Sequence, residues 1–175
     1  AIKTKNISVS DILFNYYTAI LIRDFIANLT QTGVKIKWPN DLILKNKKIC
    51  GMLFEKRKNY FIVGIGINIS QKNFENLPKA GSLLTQTHLN FDLKTFTESL
   101  HQYILKILTQ KPIPDNVVEI YNTHLYKKNE IAVFEKNKIR QNGMIENADE
   151  NGNLWVDLEN EGLQKFFHKE IELLY

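Results

Sequence analysis

The sequence lacks most of what marks secreted, membrane-spanning or disordered proteins. Its 175 residues include a single cysteine, Cys50, which excludes an internal disulfide framework and fits a reducing compartment. No apolar run approaches the roughly 20 residues that a membrane-spanning helix needs, and no secretory signal is visible at the start of the sequence. With 43% hydrophobic and 24% charged residues, the composition predicts a globular, cytoplasmic protein with no membrane partner.

Arginine is scarce as well and is confined to Arg23, Arg57 and Arg140. The net charge of +4 therefore comes mostly from lysines, which are spread along the whole chain. A lysine-rich sequence of this kind becomes basic without having a basic face. We therefore expect no nucleic-acid partner for this chain.

Up to residue 126, the apolar spacing predicts helices together with short strands. Ser10 is the expected N-cap of a helix over 11–31, and Gly33 is expected to end that helix in a left-handed conformation. Further helices are predicted over 93–109 and 115–125. Strands are predicted over 34–38, 41–44, 48–54 and 60–69. The short turns between these strands favour antiparallel pairing, and the apolar run 61–67 is expected to be a central strand buried on both faces.

The pattern becomes all-β at residue 126, and this change divides the chain into two predicted domains, 1–126 and 127–175. Strands are predicted in the second domain over 130–134, 143–148, 154–158 and 166–174. A short run of such strands is typical of a small β-barrel. The predicted fold class is therefore α+β, with a mixed and largely antiparallel sheet packed against helices and a small barrel after it.

Three short stretches hold the residues that could carry chemistry: 37–41 (KWPND), 47–55 (KKICGMLFE) and 64–68 (GIGIN). A hairpin with its turn near 45–47 would bring Asn40 and Asp41 close to Lys48. Gly51 leaves room for a ligand against the backbone. A lysine at such a site supplies a positive charge to phosphate or carboxylate oxygens.

Each stretch also has an ordinary structural interpretation. Trp38 is more often a core residue than a ligand-stacking one, and Asn40-Asp41 after a proline could be only a turn. Gly64 and Gly66 lack the third glycine and the following helix of a dinucleotide-binding loop, so a Rossmann fold is rejected. It is the joint occurrence of the three stretches, in this order and spacing, that favours a functional site.

Together, KWPND, the lysine–glycine strand and GIGIN closely resemble the central motifs of the biotin protein ligases. The segment Gly81-Ser82-Leu83 resembles the Thr-Ser-Leu of that family, and 143–153 and 168–171 resemble its C-terminal domain. The resemblance covers nearly the whole chain. It implies a fold like that of class II synthetases and biotin–lipoate ligases, followed by a small barrel like a Src-homology-3 domain.

The resemblance implies an ATP-dependent ligase that joins biotin to a lysine of a carrier protein through biotinyl-5'-AMP. Mg²⁺ and ATP would be the cofactors, biotin the substrate, and the biotin carboxyl carrier protein of acetyl-CoA carboxylase or a similar domain the partner. By similarity, Lys48 would contact the biotin carboxyl and the phosphate. Gly51, Met52 and Leu53 would line the biotin pocket together with Lys48. Asp41 would orient or deprotonate the carrier lysine.

The nucleotide would be bound by a second group of residues, again by similarity: Lys37, Asn40, Ile67 and Asn68. Asn68 would read the adenine and Asn40 would lie near the phosphate and the metal. Lys37 would support the KWPND loop. The metal ligands are not identified by the sequence, and the vicinity of Asn40 and Asp41 is where we expect them.

One part of the family pattern is missing from this sequence. The family has a Ser/Thr-Asn segment and a Gly-Arg-Gly-Arg loop before its first long helix, and that loop folds over biotinyl-AMP. Neither segment occurs here, so we expect the natural protein to have further residues ahead of Ala1. The activity is then assigned to the parent protein. Whether a DNA-binding domain lies upstream is left open by the sequence.

Two other functions are considered. A lipoate- or octanoate-handling enzyme has the same fold, and some of these use a cysteine nucleophile, for which Cys50 would be the candidate. A non-catalytic module that binds a carrier protein or nucleic acid would leave the three motifs unexplained. The sequence also leaves open whether the chain forms a homodimer.

Overall fold

A computed structural model describes residues 2–3, 9–110 and 112–175. The first part of the chain contains five strands and four helices in the described ranges. They are β1 (Ile2–Lys3), α1 (Asp11–Thr30), β2 (Val34–Lys37), β3 (Asp41–Leu44), β4 (Lys47–Arg57), β5 (Tyr60–Ile67), α2 (Leu83–Thr87), α3 (Leu93–Gln110) and α4 (Val117–Thr123). Five further strands follow: β6 (Ile131–Lys136), β7 (Ile139–Ala148), β8 (Leu154–Leu158), β9 (Gly162–Phe166) and β10 (Glu172–Leu174). The prediction of an α+β chain is confirmed.

Helix α1 forms because its sequence has a strong N-cap and a wide apolar surface. The Ser10 Oγ accepts a hydrogen bond from the Leu13 N–H at 3.2 Å, as predicted. The prediction for the end of the helix is wrong. Gln31, at φ 52°, adopts the left-handed conformation, whereas Gly33 does not have a positive φ. The helix ends earlier than expected, so the left-handed position falls on Gln31.

The first sheet has the strand order β1-β5-β4-β3-β2, and every pair is antiparallel. The prediction that 61–67 is buried on both faces is wrong. Phe61 is buried and stacks on Phe14 of α1 at 4.5 Å between ring centroids, whereas Ile62 is exposed. Gly64 and Gly66 lie on the exposed face with Ile62. The sheet therefore has one face packed on α1 and one open face.

The segment between β5 and α3 is more ordered than its polar composition predicts. It contains helix α2, which begins with a capping box in which Ser82 and Thr85 bond each other's backbone N–H. The predicted helices over 93–109 and 115–125 are found as α3 and α4, and α4 is the shorter of the two. No helix in the described residues is long and apolar enough to cross a membrane.

The second sheet has the order β10-β6-β7-β8-β9, again antiparallel throughout. The prediction of a single strand over 166–174 is wrong, because a turn with Lys169 at φ 75° separates β9 from β10. Within the described residues no pairing joins β9 to β10, so the expected closed barrel is not found. Phe134, Ile145, Val156 and Leu173 are among the buried residues of this sheet.

Helix α4 and the segment after it connect the two sheets. The Ile36 N–H donates to the His124 carbonyl and the Tyr126 N–H donates to the Ile36 carbonyl, both at 2.8 Å. The buried Asn122 side chain hydrogen-bonds both backbone groups of one β7 residue, as the backbone of a neighbouring strand would. Its Oδ1 accepts from the Ala148 N–H at 2.7 Å and its Nδ2 donates to the Ala148 carbonyl at 2.8 Å. These bonds fix how the second sheet meets the first.

We expect Asn122→Ala to destabilise the protein by about 2–4 kcal/mol, because it leaves both backbone groups of Ala148 unpaired in a buried position. Asn116→Ala is the matched control, since Asn116 is exposed at the start of the same helix and makes no side-chain capping bond. The control should change stability by less than about 0.5 kcal/mol. Urea unfolding measures both, and equal effects of the two substitutions would contradict the role of Asn122.

Candidate active site

A β-bulge in β4 sets the direction of Lys48. Leu42 of β3 pairs with Cys50, but the next residue, Ile43, pairs with Lys48, so Ile49 is the extra residue. Successive residues of a regular strand point to opposite faces, so Lys48 and Gly51, three positions apart, would lie on opposite faces. The bulge places both on the same side. A Cβ added to Gly51 would lie 3.3 Å from Lys48 Cε and 3.4 Å from its Nζ.

Lys48 forms an ion pair with Asp41. Its Nζ lies 2.7 Å from Asp41 Oδ2, with 43% of the lysine and 23% of the aspartate side chain exposed. Asp41 is directly opposite Gly51 in the strand register. Both charged groups therefore lie above the glycine backbone. Because the pair is partly exposed, an anion that enters can replace the Asp41 carboxylate as the partner of Lys48.

Two hydrogen bonds from neighbouring elements hold the turn that precedes Asp41. Trp38 is buried, and its peptide bond to Pro39 is cis. The Tyr121 hydroxyl of α4 donates to the Pro39 carbonyl at 2.7 Å, and the Met52 N–H donates to the Asn40 carbonyl at 3.2 Å. The position of Asp41 is therefore fixed by both α4 and β4.

A cavity of about 570 Å³ opens beside the ion pair. This volume is in the range of small-molecule sites. Its wall consists of sheet residues, the segment 77–80 and two C-terminal residues. The lining includes Lys37, Asp41, Lys48, Cys50, Gly51, Gly66, Asn68, Glu172 and Tyr175. A second cavity of about 500 Å³ adjoins it between the 38–40 turn and the second sheet, and Lys37, Asp41, Lys48 and Glu172 line both.

Most of the residues predicted for the site come together. Lys37, Asp41, Lys48, Gly51 and Asn68 line the first cavity, and Asn40 and Met52 line the second. The other two predicted residues lie outside these cavities. Leu53 is 62% exposed on the open face of the sheet, and Ile67 packs against the core.

Asn68 hydrogen-bonds the backbone of two neighbouring segments. Its Nδ2 donates to the Gly81 carbonyl at 2.9 Å, and its own N–H donates to the carbonyl of the bulged Ile49 at 2.8 Å. On the other side of Ile49, the Lys48 N–H donates to the Lys79 carbonyl at 2.8 Å. The segment 79–81 is thereby attached to the start of β4.

The sequence did not indicate several residues of the two cavities. Lys79 lies in a polar segment, and Glu172 and Tyr175 lie at the far end of the chain. His168 lines the second cavity and packs edge-on against Trp38, with 5.9 Å between ring centroids. The only hint was the family-like pattern at 168–171, which identifies neither Glu172 nor Tyr175 as a site residue.

Burial and neighbouring charges shift the pKa values of Lys37 and Cys50, which both line the first cavity. Burial lowers the pKa of the Lys37 ammonium, an effect that Asp41 opposes and Lys48 reinforces. Burial also raises the pKa of the Cys50 thiol to about 12; Asp41 adds to the increase, and Lys48 opposes it. Cys50 is 1% exposed, so its thiol is neutral and shielded.

No three His, Cys, Asp or Glu side chains form a metal-binding cluster in the described parts of the chain. Asp41 supplies carboxylate oxygens at the cavity, and Asn40 lies next to it. These two side chains alone do not make a closed metal site.

The chain is similar in sequence to known proteins over part of its length. Residues 3–71 match the model of the Biotin/lipoate A/B protein ligase family. A stretch of 54 residues, 31% of this chain, is 39% identical to 20% of the biotin--[acetyl-CoA-carboxylase] ligase of Mycobacterium tuberculosis. A stretch of 88 residues, 46% of this chain, is 27% identical to 27% of the bifunctional ligase/repressor BirA of Escherichia coli. The matches thus span about a fifth to a quarter of the curated relatives.

Solved structures extend the similarity of fold to almost the whole chain. The apo biotin protein ligase from Aquifex aeolicus is 22% identical, with a TM-score of 0.76 over 99% of this chain and 79% of that one. The same enzyme in complex with biotin and ATP gives a TM-score of 0.76 at 21% identity, over 99% and 75% of the two chains. The predicted resemblance to biotin protein ligases is confirmed.

We expect Cys50 to react with iodoacetamide at pH 8 at least about 100-fold more slowly in the folded protein than in the urea-unfolded chain. Its raised pKa makes the thiolate rarer by roughly three orders of magnitude, and burial excludes the reagent. Mass spectrometry of timed samples gives both rates, and the unfolded chain is a matched control because it has the same single thiol. Equal rates would show that the thiol is accessible and reactive.

Proposed function

We propose that this chain carries the catalytic centre of an ATP-dependent biotin protein ligase, which joins biotin to a carrier lysine through biotinyl-5'-AMP. The observation that carries the proposal is the Lys48–Asp41 ion pair above Gly51, at the wall of the cavity of about 570 Å³. The pair lies on the strands that carry the family-like motifs. The whole reaction is proposed for the protein to which this chain belongs.

Lys48 would act in the first step, in which the biotin carboxylate attacks the α-phosphate of ATP and pyrophosphate leaves. Both reacting groups are anionic and repel each other. An ammonium between them offsets this repulsion and stabilises the charge that develops in the transition state. The Lys48 Nζ is suited to this because it is partly exposed, and its present partner is exchangeable.

Asp41 would act in the second step, in which the carrier lysine attacks the acyl carbon and AMP leaves. The attacking amine must be neutral and must lose a proton, which a nearby carboxylate can accept. In the ion pair the Asp41 carboxylate is occupied by the Lys48 ammonium at 2.7 Å. If Lys48 turns toward the bound anions, the carboxylate becomes available to the amine.

The other residues with roles proposed by similarity fall into two groups, one that would contact biotin and one that would contact the nucleotide. Gly51 would allow biotin to lie against the backbone, with the backbone of Met52 and Leu53 beside it. Lys37, Asn40, Asn68 and Ile67 would form the nucleotide side. For Asn68 the hydrogen bond to Gly81 occupies Nδ2, so contact with adenine would use Oδ1 or a rotated amide.

Mg²⁺ would be held by few protein oxygens at this site. Magnesium usually keeps several waters and binds through one or two carboxylates together with substrate phosphates. Asp41 and the neighbouring Asn40 fit such a partial set, and both line the second cavity. The ion would neutralise phosphate charge when bound.

We also propose that residues 1–126 form the catalytic domain and 127–175 a separate small domain related to Src-homology-3 barrels. Its contribution to the site is supported by Glu172 and His168, which line the shared cavities. The carrier partner would be a biotin carboxyl carrier domain. A cytoplasmic location fits the single thiol.

The cysteine-dependent form of lipoate or octanoate transfer is disfavoured. Such a reaction needs an exposed thiolate, whereas the Cys50 thiol is buried and has a pKa raised to about 12. Ligation of lipoate by adenylation, which needs no cysteine, uses the same charged groups. It is therefore the second candidate, because the matched family includes lipoate ligases.

The experiment that tests the proposal is intact mass spectrometry of a biotin carrier domain after incubation with the protein, biotin and Mg-ATP. A parallel incubation supplies lipoate or octanoate. We expect a biotin adduct on one lysine and none in the absence of ATP. An adduct only in the parallel incubation would instead assign the protein to lipoate or octanoate ligation.

Two substitutions should stop the reaction at different steps. Lys48→Ala should slow formation of biotinyl-AMP by about 10²- to 10³-fold, because it removes the charge between the two anions. Asp41→Asn should slow transfer to the carrier by about 10²-fold or more, because the base is lost. It should slow adenylate formation much less, because the amide oxygen, the phosphates and water can still supply ligands to Mg²⁺. Pyrophosphate release measures the first step and carrier mass the second.

Lys94→Ala is the control for these variants, since Lys94 is exposed on α3 and lies outside both cavities. It should not alter either rate. Normal adenylate formation by Lys48→Ala would refute the role given to that lysine, and equal loss of both steps in Asp41→Asn would refute the separation of roles.

A further inference from the structure

Three ammonium groups share the first cavity. Lys48 is neutralised by Asp41 at 2.7 Å, whereas Lys79 lies 3.8 Å from Glu172, a long contact between exposed side chains. Lys37 is partly buried and lines the same cavity. The side chains that line the cavity include three ammonium groups and two carboxylates, so these side chains carry an excess positive charge that an anionic ligand would neutralise.

Two of these ammonium groups lie over one aromatic ring. The Nζ of Lys79 is 5.0 Å and the Nζ of Lys37 is 5.6 Å from the centroid of the Tyr175 ring. Both distances are in the range of cation–π attraction. Like charges repel, and the electron-rich ring of Tyr175 offsets part of this repulsion at both lysines without supplying a full negative charge.

The Tyr175 ring is itself fixed by the first sheet. The Tyr126 ring packs edge-on against it, with 5.3 Å between centroids. The Tyr126 hydroxyl donates to Asn46 Oδ1 at 2.8 Å, and its N–H donates to the Ile36 carbonyl at 2.8 Å. Burial and the nearby acids raise the pKa of Tyr175 to about 12, so its ring stays neutral at physiological pH.

The backbone of Lys79 is fixed as well. Its carbonyl accepts from the Lys48 N–H at 2.8 Å, and the Lys48 carbonyl accepts from the Gly81 N–H at 3.0 Å. Lys79 is thus attached to the strand that carries Lys48. The ring, the strand and the cavity wall together set where its ammonium lies.

We propose that Tyr175 is a positioning residue that holds Lys37 and Lys79 as a paired cationic site for the polyphosphate of the nucleotide. The proposal deepens the function proposed above and rests on it for the identity of the ligand. An ammonium over a ring face remains free on its other side to donate to phosphate oxygens. Glu172 would release Lys79 when the phosphates arrive.

The test measures binding of ATP and, separately, of inorganic tripolyphosphate to the full chain by isothermal titration calorimetry. Tyr175→Leu should raise both dissociation constants by about 5- to 30-fold, since two cation–π contacts are lost. Tyr175→Phe keeps the ring face and should restore binding to within about twofold of the original. Biotin affinity should not change in either variant.

Lys79→Met should weaken tripolyphosphate binding to a similar extent, and the double variant Tyr175→Leu/Lys79→Met should lose less than the sum of the single effects. Lys136→Met is the matched control, because Lys136 lies 5.5 Å from the Phe166 ring, outside the two cavities around Lys48. It should bind both ligands normally.

Unchanged tripolyphosphate binding by Lys79→Met would overturn the proposal, and so would a Tyr175→Phe variant as weak as Tyr175→Leu. Equal loss of biotin and tripolyphosphate affinity in Tyr175→Leu would also overturn it, since that result indicates general damage to the site. Tripolyphosphate binding needs no catalysis. A protein that binds tripolyphosphate as expected and modifies no carrier would contradict the proposed function and leave this inference standing.

Discussion

The candidate site depends on one extra residue in strand β4. Ile49 interrupts the alternation of the strand, and Lys48 then points to the same side as Gly51. A regular strand would direct Lys48 away from Asp41 and separate the two charges. The Asn68 N–H continues the regular β4–β5 ladder by donating to the Ile49 carbonyl, and the backbone of Lys48 bonds 79–81. The bulge therefore sets the position of the ion pair, and the backbone bonds on either side of Ile49 set the adjoining cavity wall.

One face of the first sheet packs against α1, and the other face is open. One face packs on α1 through rings such as Phe14 and Phe61, and this packing makes the sheet rigid. The other face has glycines where side chains would otherwise fill the space, and the backbone near Asp41 and Lys48 stays accessible. Rigid support below and open backbone above are what a binding site for a small molecule needs. The second sheet closes one side of this site, and Asn122 fixes the angle at which it does so.

Local signals were enough to predict much of this structure. The cap at Ser10, the apolar spacing of α1 and the short turns of β2–β5 are determined by near neighbours, and the motif residues around Lys48 were found by their order and spacing. Features that depend on distant contacts were missed. The bulge at Ile49 needs the register with β3, the burial of a strand depends on what covers it, and the contact of Tyr175 with Lys79 joins residues almost a hundred positions apart. No periodicity in the sequence reports such contacts.

The charges of the site are balanced by weak partners, and this explains how it could accept anions. The partner of Lys48 is the partly exposed carboxylate of Asp41. The partner of Lys79 is the more distant carboxylate of Glu172, and Lys37 lies over the ring of Tyr175. Each contact lowers the repulsion among the lysines in the absence of ligand, yet each is weaker than a buried ion pair, which would be costly to break. Phosphate oxygens make charge-assisted bonds to ammonium groups that are stronger than a contact at 3.8 Å or a ring face. A binding anion would therefore give Lys79 and Lys37 stronger partners. For Lys48 it would replace one charge-assisted partner with another, and in the proposed function this would free the Asp41 carboxylate before the transfer step, which requires a base.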